Sequence, residues 1–190
     1  MTAAFERHDP ASWRRGLAYR ARSVLPYDGS AYPAGLPLVL DTTVYIDLRK
    51  VSRVPAAVAA RISRDRVLHS AVALSELATA LGLLDPAHPN TPTIRTAIEA
   101  TLREVEPESV VAPSPDAWIE AAVVSGILAR TQGFAGMDRR RLLNDAMMVI
   151  SAAEAGAVLV SRNRRDMDLL LRFRPDARIW LYDDASAVRV

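Results

Sequence analysis

Apolar residues fall along this chain in two rhythms. Short runs, Leu38-Val39-Leu40, Val67-Leu68-His69, Val110-Val111-Ala112, Val158-Leu159-Val160 and Ile179-Trp180-Leu181, have the length and β-branched content of buried strands. Between them, apolar positions recur every three or four residues: in a short stretch after Thr43, in PAAVAARIS, VALSELATALGLL, TPTIRTAIEATLREV, SPDAWIEAAVVSGILAR and RRLLNDAMMVISAAEAG, and in a short stretch after Asp166. These read as helices. Thr91-Pro92 and Ser114-Pro115 are cap-and-first-turn pairs, and Gly156 stands where a helix should stop. Strands alternating with helices predict an α/β fold, a three-layer α/β/α sandwich around a parallel sheet of about five strands.

Ahead of the first strand, Asp9-Pro10-Ala11-Ser12-Trp13 reads as a helix start, with Asp9 as N-cap and Pro10 at the first helical position. The predicted helix runs to about Val24, with Trp13, Leu17 and Val24 on its apolar side and Arg14, Arg15, Arg20 and Arg22 around them. A loop rich in Pro, Gly and Tyr, LPYDGSAYPAGLP, then leads to Leu38. The chain therefore divides into an N-terminal helical extension and linker over 1–37 and one α/β domain over 38–190.

Composition narrows the chemistry. Half of the 190 residues are hydrophobic, enough for a sizeable core, and there is no internal repeat. The absence of cysteine excludes disulfides, thiolate metal sites and cysteine nucleophiles. No segment reaches the roughly 20 apolar residues that cross a bilayer, and an N-terminus with Glu6, Asp9 and no apolar segment makes a poor signal peptide. A cytoplasmic protein is expected. The net charge is only +2, so affinity for a polyanion has to come from how charge is distributed. All but one of the Lys and Arg residues are arginine, whose fork suits phosphate, although a GC-rich genome gives the same bias.

In a parallel sheet, functional groups gather beyond the carboxyl ends of the strands. The first strand ends on Asp41, and a charge at the edge of a core costs free energy unless something pairs with it. Three further acids occupy comparable places. Glu76 lies early in the helix after VLHS, flanked by Leu74 and Leu77. Asp145 has Leu142, Met148, Val149 and Ala152 as apolar neighbours at helical spacing, and Asp166 follows the fourth strand within SRNRRDMD. Carboxylates brought together repel one another and stay ionised only around a cation. Mg2+ or Mn2+ takes oxygen ligands and keeps waters, which leaves room for a phosphate oxygen. One or two such ions would polarise a phosphodiester, generate the nucleophile and stabilise the departing oxygen. Thr42, Ser161 and Asn163 are placed to hydrogen-bond a carboxylate or a water at the metal. Plainer readings stand beside these: Asp41 as a helix cap, Glu76 as an exposed helix residue, Asp166 as the cap of MDLLLRF, and Asp168 in competition with Asp166. With 22 acidic residues in the chain, one acid near a strand end is coincidence, whereas four at compatible places form a pattern.

LVLDTTVYIDL, HSAVALSELATAL and LLNDAMMVISAAEAGAVLVSRNRRDM, in this order, resemble the PIN-domain ribonuclease family, in particular the VapC-type toxins of bacterial toxin–antitoxin pairs. The likeness covers roughly Leu38 to Tyr182. It implies a compact sandwich around a parallel sheet, with clustered acids that bind Mg2+ or Mn2+ and cut RNA by hydrolysis. Asp41 matches the family's first acid in its L-D-[ST] context, Glu76 the second and Asp145 the third. Ser161-x-Asn163-x-x-Asp166 matches a T-x-N-x-x-D element holding the fourth, with Ser161 keeping the hydroxyl of the usual Thr. The resemblance thus implies Asp41, Glu76, Asp145 and Asp166 as catalytic and metal-binding residues. It also implies a cognate antitoxin that lays a segment into the acidic crevice, and a homodimer, since members are often dimers. Residues 1–37 depart from the small members, which begin close to the first strand.

Arginines adjoin two of the acids. Arg162, Arg164 and Arg165, on a loop that should open into the crevice, are the expected contacts to substrate phosphates, while Arg139, Arg140 and Arg141 read as a solvated helix start. Trp13 either stacks on a base or packs on the domain or a second subunit. With aromatic residues only 6% of the chain, recognition would rest on phosphate geometry and RNA shape and not on a broad stacking platform. Other chemistries lack their parts: there is no GxxxxGK[ST], no GxGxxG after a strand and no HExxH. His8, His69 and His88 are scattered, and His69 reads as a packed residue. Two alternatives remain. One is a non-catalytic PIN-like module that binds RNA or protein; the other is an aspartate-nucleophile phosphatase using Asp41, which would need an acid where Thr43 stands.

Overall fold

The computed structural model describes residues 3–50 and 53–185; residues 1–2, 51–52 and 186–190, which include the outer ends of both expected segments, lie outside the described residues. Five strands, β1 (Leu38–Leu40), β2 (Val67–Ser70), β3 (Val110–Val111), β4 (Val158–Ser161) and β5 (Arg178–Leu181), form one sheet in the order β3-β2-β1-β4-β5. Every pairing is parallel. Each expected strand is present, shifted by no more than one residue at either end. The helices are α1 (Ala3–Arg7), α2 (Thr42–Leu48), α3 (Ala56–Arg64), α4 (Ala71–Gly82), α5 (Thr91–Arg103), α6 (Pro115–Gln132), α7 (Gly136–Glu154) and α8 (Arg164–Phe173). Ser70 and Ser114 cap α4 and α6 through their hydroxyls, and Gly133 ends α6 in the left-handed conformation.

The central strands show why the sheet needs two covering layers. Leu38, Val39 and Leu40 are 0%, 1% and 3% exposed, and successive strand residues point to opposite faces, so both faces are covered. The four residues of β4 are buried in the same way. The chain winds outward from β1 through β2 to β3, then crosses to the other side of β1 to form β4 and β5. Winding therefore reverses between β1 and β4, and the crevice at their carboxyl ends is where such sheets hold ligands. Register places Leu40 opposite Val160, and the Asp41 amide donates to the Val160 carbonyl at 3.0 Å. Asp41 and Ser161 meet at that crevice.

The extension differs from its expectation. Asp9 does cap, accepting from the Ala11 amide, but the helix stops after the 3-10 turn Pro10–Ser12, and a second such turn follows only at Arg22–Val24. The carbonyls that a helix would satisfy internally are taken by side chains of the domain. Arg130 donates to the Pro10 and Trp13 carbonyls, Gln132 to Leu17, Arg172 to Ala18 and Arg164 to Arg20, at 2.9–3.3 Å. Tertiary partners thus replace the helical ladder that local propensity favoured. Trp13 packs on the domain, stacked on Phe173 with centroids 4.0 Å apart. Asp168 anchors this strap: buried, it accepts from the Arg20 amide at 2.7 Å and from Arg20 Nε at 2.5 Å, which removes it from competition with Asp166. Nearer the start, buried Glu120 of α6 accepts from Arg7 and Arg174 and bonds His8.

Farther along, the linker closes the β5 edge. The Leu181 amide donates to the Pro26 carbonyl, Trp180 Nε1 to Tyr27 O, and the Tyr32 hydroxyl to Ile179 O. An open strand edge is a site for unwanted pairing, and this one is used up within the chain. Gly29 lies flat under the Trp180 indole, where an added Cβ would meet ring atoms at 2.2–2.5 Å. Trp180 is buried and cannot yield cheaply. We predict that Gly29→Ala lowers stability by about 1–3 kcal/mol, read as a fall in Tm or urea midpoint.

Candidate active site

At the mouth of the β1–β4 crevice Asp41, Asp145 and Asp166 are joined by hydrogen bonds through Ser161 and Asn163, and Glu76 acts on Asp41 and Asp145 by its charge alone. Asp41 stands at the N-cap position of α2 but makes no side-chain cap bond. Its carboxylate, 2% exposed, accepts instead from Ser161 Oγ at 2.5 Å and Thr43 Oγ1 at 2.9 Å. Half-buried Glu76, on α4, accepts from Thr42 Oγ1 at 2.5 Å on one oxygen and from Asn144 Nδ2 at 2.7 Å on the other. Asp145, on the buried face of α7, accepts from Asn163 Nδ2 at 3.0 Å, and the same nitrogen donates to Asp166 Oδ2 at 2.9 Å. One amide therefore bridges the last two acids. Asn163 is also the N-cap of α8, its Oδ1 accepting from the Asp166 amide, so Asp166 does not cap that helix. Its amide donates in turn to Ser161 Oγ at 2.9 Å.

Electrostatics tie the four together. Burial pushes the Asp145 carboxyl well above the ordinary carboxylate range. The charges of Asp41, Asp166 and Glu76 push the same way, as does a hydrogen bond toward Asp166. Burial raises Asp41 as well, with the Glu76 charge adding to it and the Ser161 and Thr43 hydroxyls opposing it. The donor set is all carboxylate oxygen, which fits a hard divalent cation and no thiophilic one. Among the described residues, no group of three or more His, Cys, Asp or Glu side chains closes into a cage ready to hold an ion.

The arginines divide. Arg162 turns to Asp47 of α2, its Nε 2.6 Å from Oδ2, and this structural pair displaces the expected phosphate contact. Asp47 is fully buried and also accepts from Arg53 and from the Tyr182 hydroxyl. The Arg162 amide donates to Thr43 Oγ1, so the pair braces the loop that carries Ser161 and Asn163 against α2. Arg164 and Arg165 are exposed, and both touch the extension, Arg164 at the Arg20 carbonyl and Arg165 Nε at the Tyr19 hydroxyl. His69 stands outside the acid group, hydrogen-bonded through Nδ1 to the Tyr45 hydroxyl at 2.7 Å. Sequence reasoning missed Asn144, Thr43 and Asp47. Asp47 carried a signal, being a lone acid inside the apolar run VYIDL; Asn144 and Thr43 carried none beyond adjacency to an acid.

Solved structures with the same arrangement of strands and helices are toxin–antitoxin complexes. VapBC2 from Rickettsia felis, bound to a DNA fragment from its promoter, superposes with a TM-score of 0.53 at 14% identity, covering 78% of this chain and 100% of the matched one. VapBC-1 from nontypeable Haemophilus influenzae gives 0.52 at 22% identity, covering 77% and 98%. VapBC-5 from Mycobacterium tuberculosis gives 0.50 at 21%, covering 79% and 100%. This chain shares their fold. The matched chains are aligned almost end to end, and about a fifth of this chain lies outside each match. No protein-family model and no curated protein matches the sequence.

The raised carboxyls make a prediction about stability. A buried acid whose folded pKa lies above its unfolded value binds more protons when folded, so stability falls as pH rises from the ordinary carboxylate range through the raised value. At neutral pH with chelator present, Asp145 is thus a destabilising group. We expect Asp145→Asn to raise the metal-free Tm at pH 7, by roughly 2–4 °C for each kcal/mol gained in a chain of this size, and to have little effect near pH 4. Thermal scans of both proteins in EDTA across that range check it.

Proposed function

We propose that this chain is a metal-dependent endoribonuclease that hydrolyses RNA phosphodiester bonds, and the toxin of a toxin–antitoxin pair. What supports the reading above all is that Asp145 feels the charge of Asp41, Glu76 and Asp166 together, at the winding reversal of a parallel sheet. Asp41, Glu76, Asp145 and Asp166 would hold the ion. Mg2+ or Mn2+, when bound, supplies Lewis-acid polarisation of the phosphodiester and makes a water nucleophilic near neutral pH. Ser161 and Thr43 keep the Asp41 carboxylate in one orientation, and Asn163 sets the separation of Asp145 and Asp166. Burial and the neighbouring charges favour the protonated form of Asp145, and a ligand carboxyl must be ionised, so ion affinity would rise with pH. The fold shared with VapBC complexes supports an antitoxin partner, with a basic side chain suited to the acidic crevice. A homodimer and a cytoplasmic setting belong to the same reading; no helix among the described residues is long and apolar enough to cross a membrane.

One observation favours a second reading, a non-catalytic module that keeps the fold: Glu76 is bonded on both oxygens by Thr42 and Asn144, and no ready cage is present among the described residues. RNA integrity separates the two. The parent chain should degrade RNA in Mg2+ or Mn2+ and stop in EDTA. Asp41→Asn should lower the rate by two orders of magnitude or more, equivalent to about 2.7 kcal/mol of barrier, and Asn163→Ala by about 10–100-fold. Equal degradation by parent and Asp41→Asn removes the site assignment. No degradation together with no Mn2+ binding by calorimetry leaves the binding module.

A further inference from the structure

Beside the acid group lies a recess of about 140 Å³ lined by Phe134, Asp138, Arg141, Asn163, Arg165 and Asp166. Two of its walls, Asn163 and Asp166, belong to the candidate active site. Arg141 is four residues before Asp145 on α7, one turn away on the same face, and Arg165 directly precedes Asp166. Among the described residues Arg141 makes no hydrogen bond or ion pair, and the Nη groups of Arg165 make no hydrogen bond. We propose that this recess is a subsite for an RNA phosphate next to the one cleaved, with Arg141 and Arg165 as its cationic walls and Tyr19 of the extension as the residue that positions Arg165. The proposal rests on the nuclease reading and gives its substrate a second point of attachment.

Size decides what fits. Pockets that enclose a drug-sized molecule run from roughly 300 Å³ upward, so a nucleobase with its sugar does not enter, whereas a phosphate group with a water or two does. Arg165 is held for the task. Its Nε donates to the Tyr19 hydroxyl at 2.8 Å, and its Cζ lies 5.8 Å from the Tyr19 ring and 5.5 Å from the Phe134 ring. Contacts to two aromatic rings restrain the guanidinium plane while leaving the Nη fork for a two-point phosphate contact. Asp138 and Asp166 act on Arg165 electrostatically, so an incoming phosphate competes with Asp138 for the same cation.

Binding and cleavage by the full-length chain test this. A fluorescein-labelled single-stranded RNA is titrated into the Asp41→Asn protein by anisotropy at several salt concentrations, with Arg141→Ala, Arg165→Ala or Asp138→Asn added. Each arginine loss should weaken binding roughly tenfold and lower the slope of log K against log salt by about 0.7, the value for one single-strand phosphate. Asp138→Asn should tighten binding. In the cleaving protein, Arg165→Ala should raise KM with kcat within about twofold, and Tyr19→Phe should raise KM by less, because it loses the hydrogen bond and keeps the ring. Both arginines are exposed, so unchanged Tm values are expected to accompany these effects. If RNA is cut and neither KM nor the salt slope moves in the arginine variants, the subsite is wrong and the nuclease reading stands. If RNA binds with the stated slopes and is not cut by the parent, the nuclease reading fails and the phosphate site survives. Failure to bind RNA at all overturns both, and displacement of RNA by inorganic phosphate at comparable concentration makes the recess a free-anion site and overturns the assignment to RNA.

Discussion

Four carboxylates crowded at the mouth of one crevice set the terms for everything around them. Such a group is unfavourable unless each charge is met by a donor, a proton or a cation. Hydroxyls of Thr42, Thr43 and Ser161 and amides of Asn144 and Asn163 supply the donors, and burial among the other three charges pushes the Asp145 carboxyl toward its protonated form. No buried side-chain nitrogen or oxygen among the described residues lacks a partner. The arrangement is thus satisfied by the protein's own donors.

Those donors must themselves be held. Ser161 ends β4 and Asn163 sits on the two-residue turn into α8, and the position of that turn follows from the pair of buried Asp47 with half-buried Arg162. An ion pair with one buried partner gives little net stability, because desolvation of that partner cancels much of the attraction, but it fixes geometry. Here it joins α2, whose first residue follows Asp41, to the turn after Ser161, which restrains Asp41. The first and fourth acids are therefore registered against each other through Asp47 even though neither touches it.

The extension follows another logic. It lies as a strap across α6 and α8, its carbonyls bonded by Arg130, Gln132, Arg164 and Arg172 and its Arg20 locked into Asp168. A backbone that spends its acceptors on side chains of the domain is oriented residue by residue. This brings Tyr19 to the rim of the acid group and Pro26 to the edge of β5. The segment ahead of β1 is thereby made part of both the sheet and the site's surroundings.

The strands and most helices were legible from the chain because period and burial are one-dimensional signals: LVL and VLV are uninterrupted apolar runs of strand length, and their residues are buried on both faces of the sheet. The four acids were legible for a related reason, since each sits where an apolar pattern ends or is broken by a charge. What Arg162 does was not legible. In the sequence it is one of three arginines in SRNRRDMD, and only the approach of α2 to the loop decides that it pairs with Asp47 while Arg165 reaches Tyr19. The extension failed for the same reason: Asp9-Pro10 encodes a helix start, but whether the helix continues depends on arginines more than a hundred residues away competing for its carbonyls. Sequence by itself determined the elements, their order and the carboxylates at their ends, because burial and periodicity act locally. Tertiary structure alone decided which donor meets which charge, because a hydrogen bond forms only over a few ångströms and the residues that make these bonds are distant along the chain.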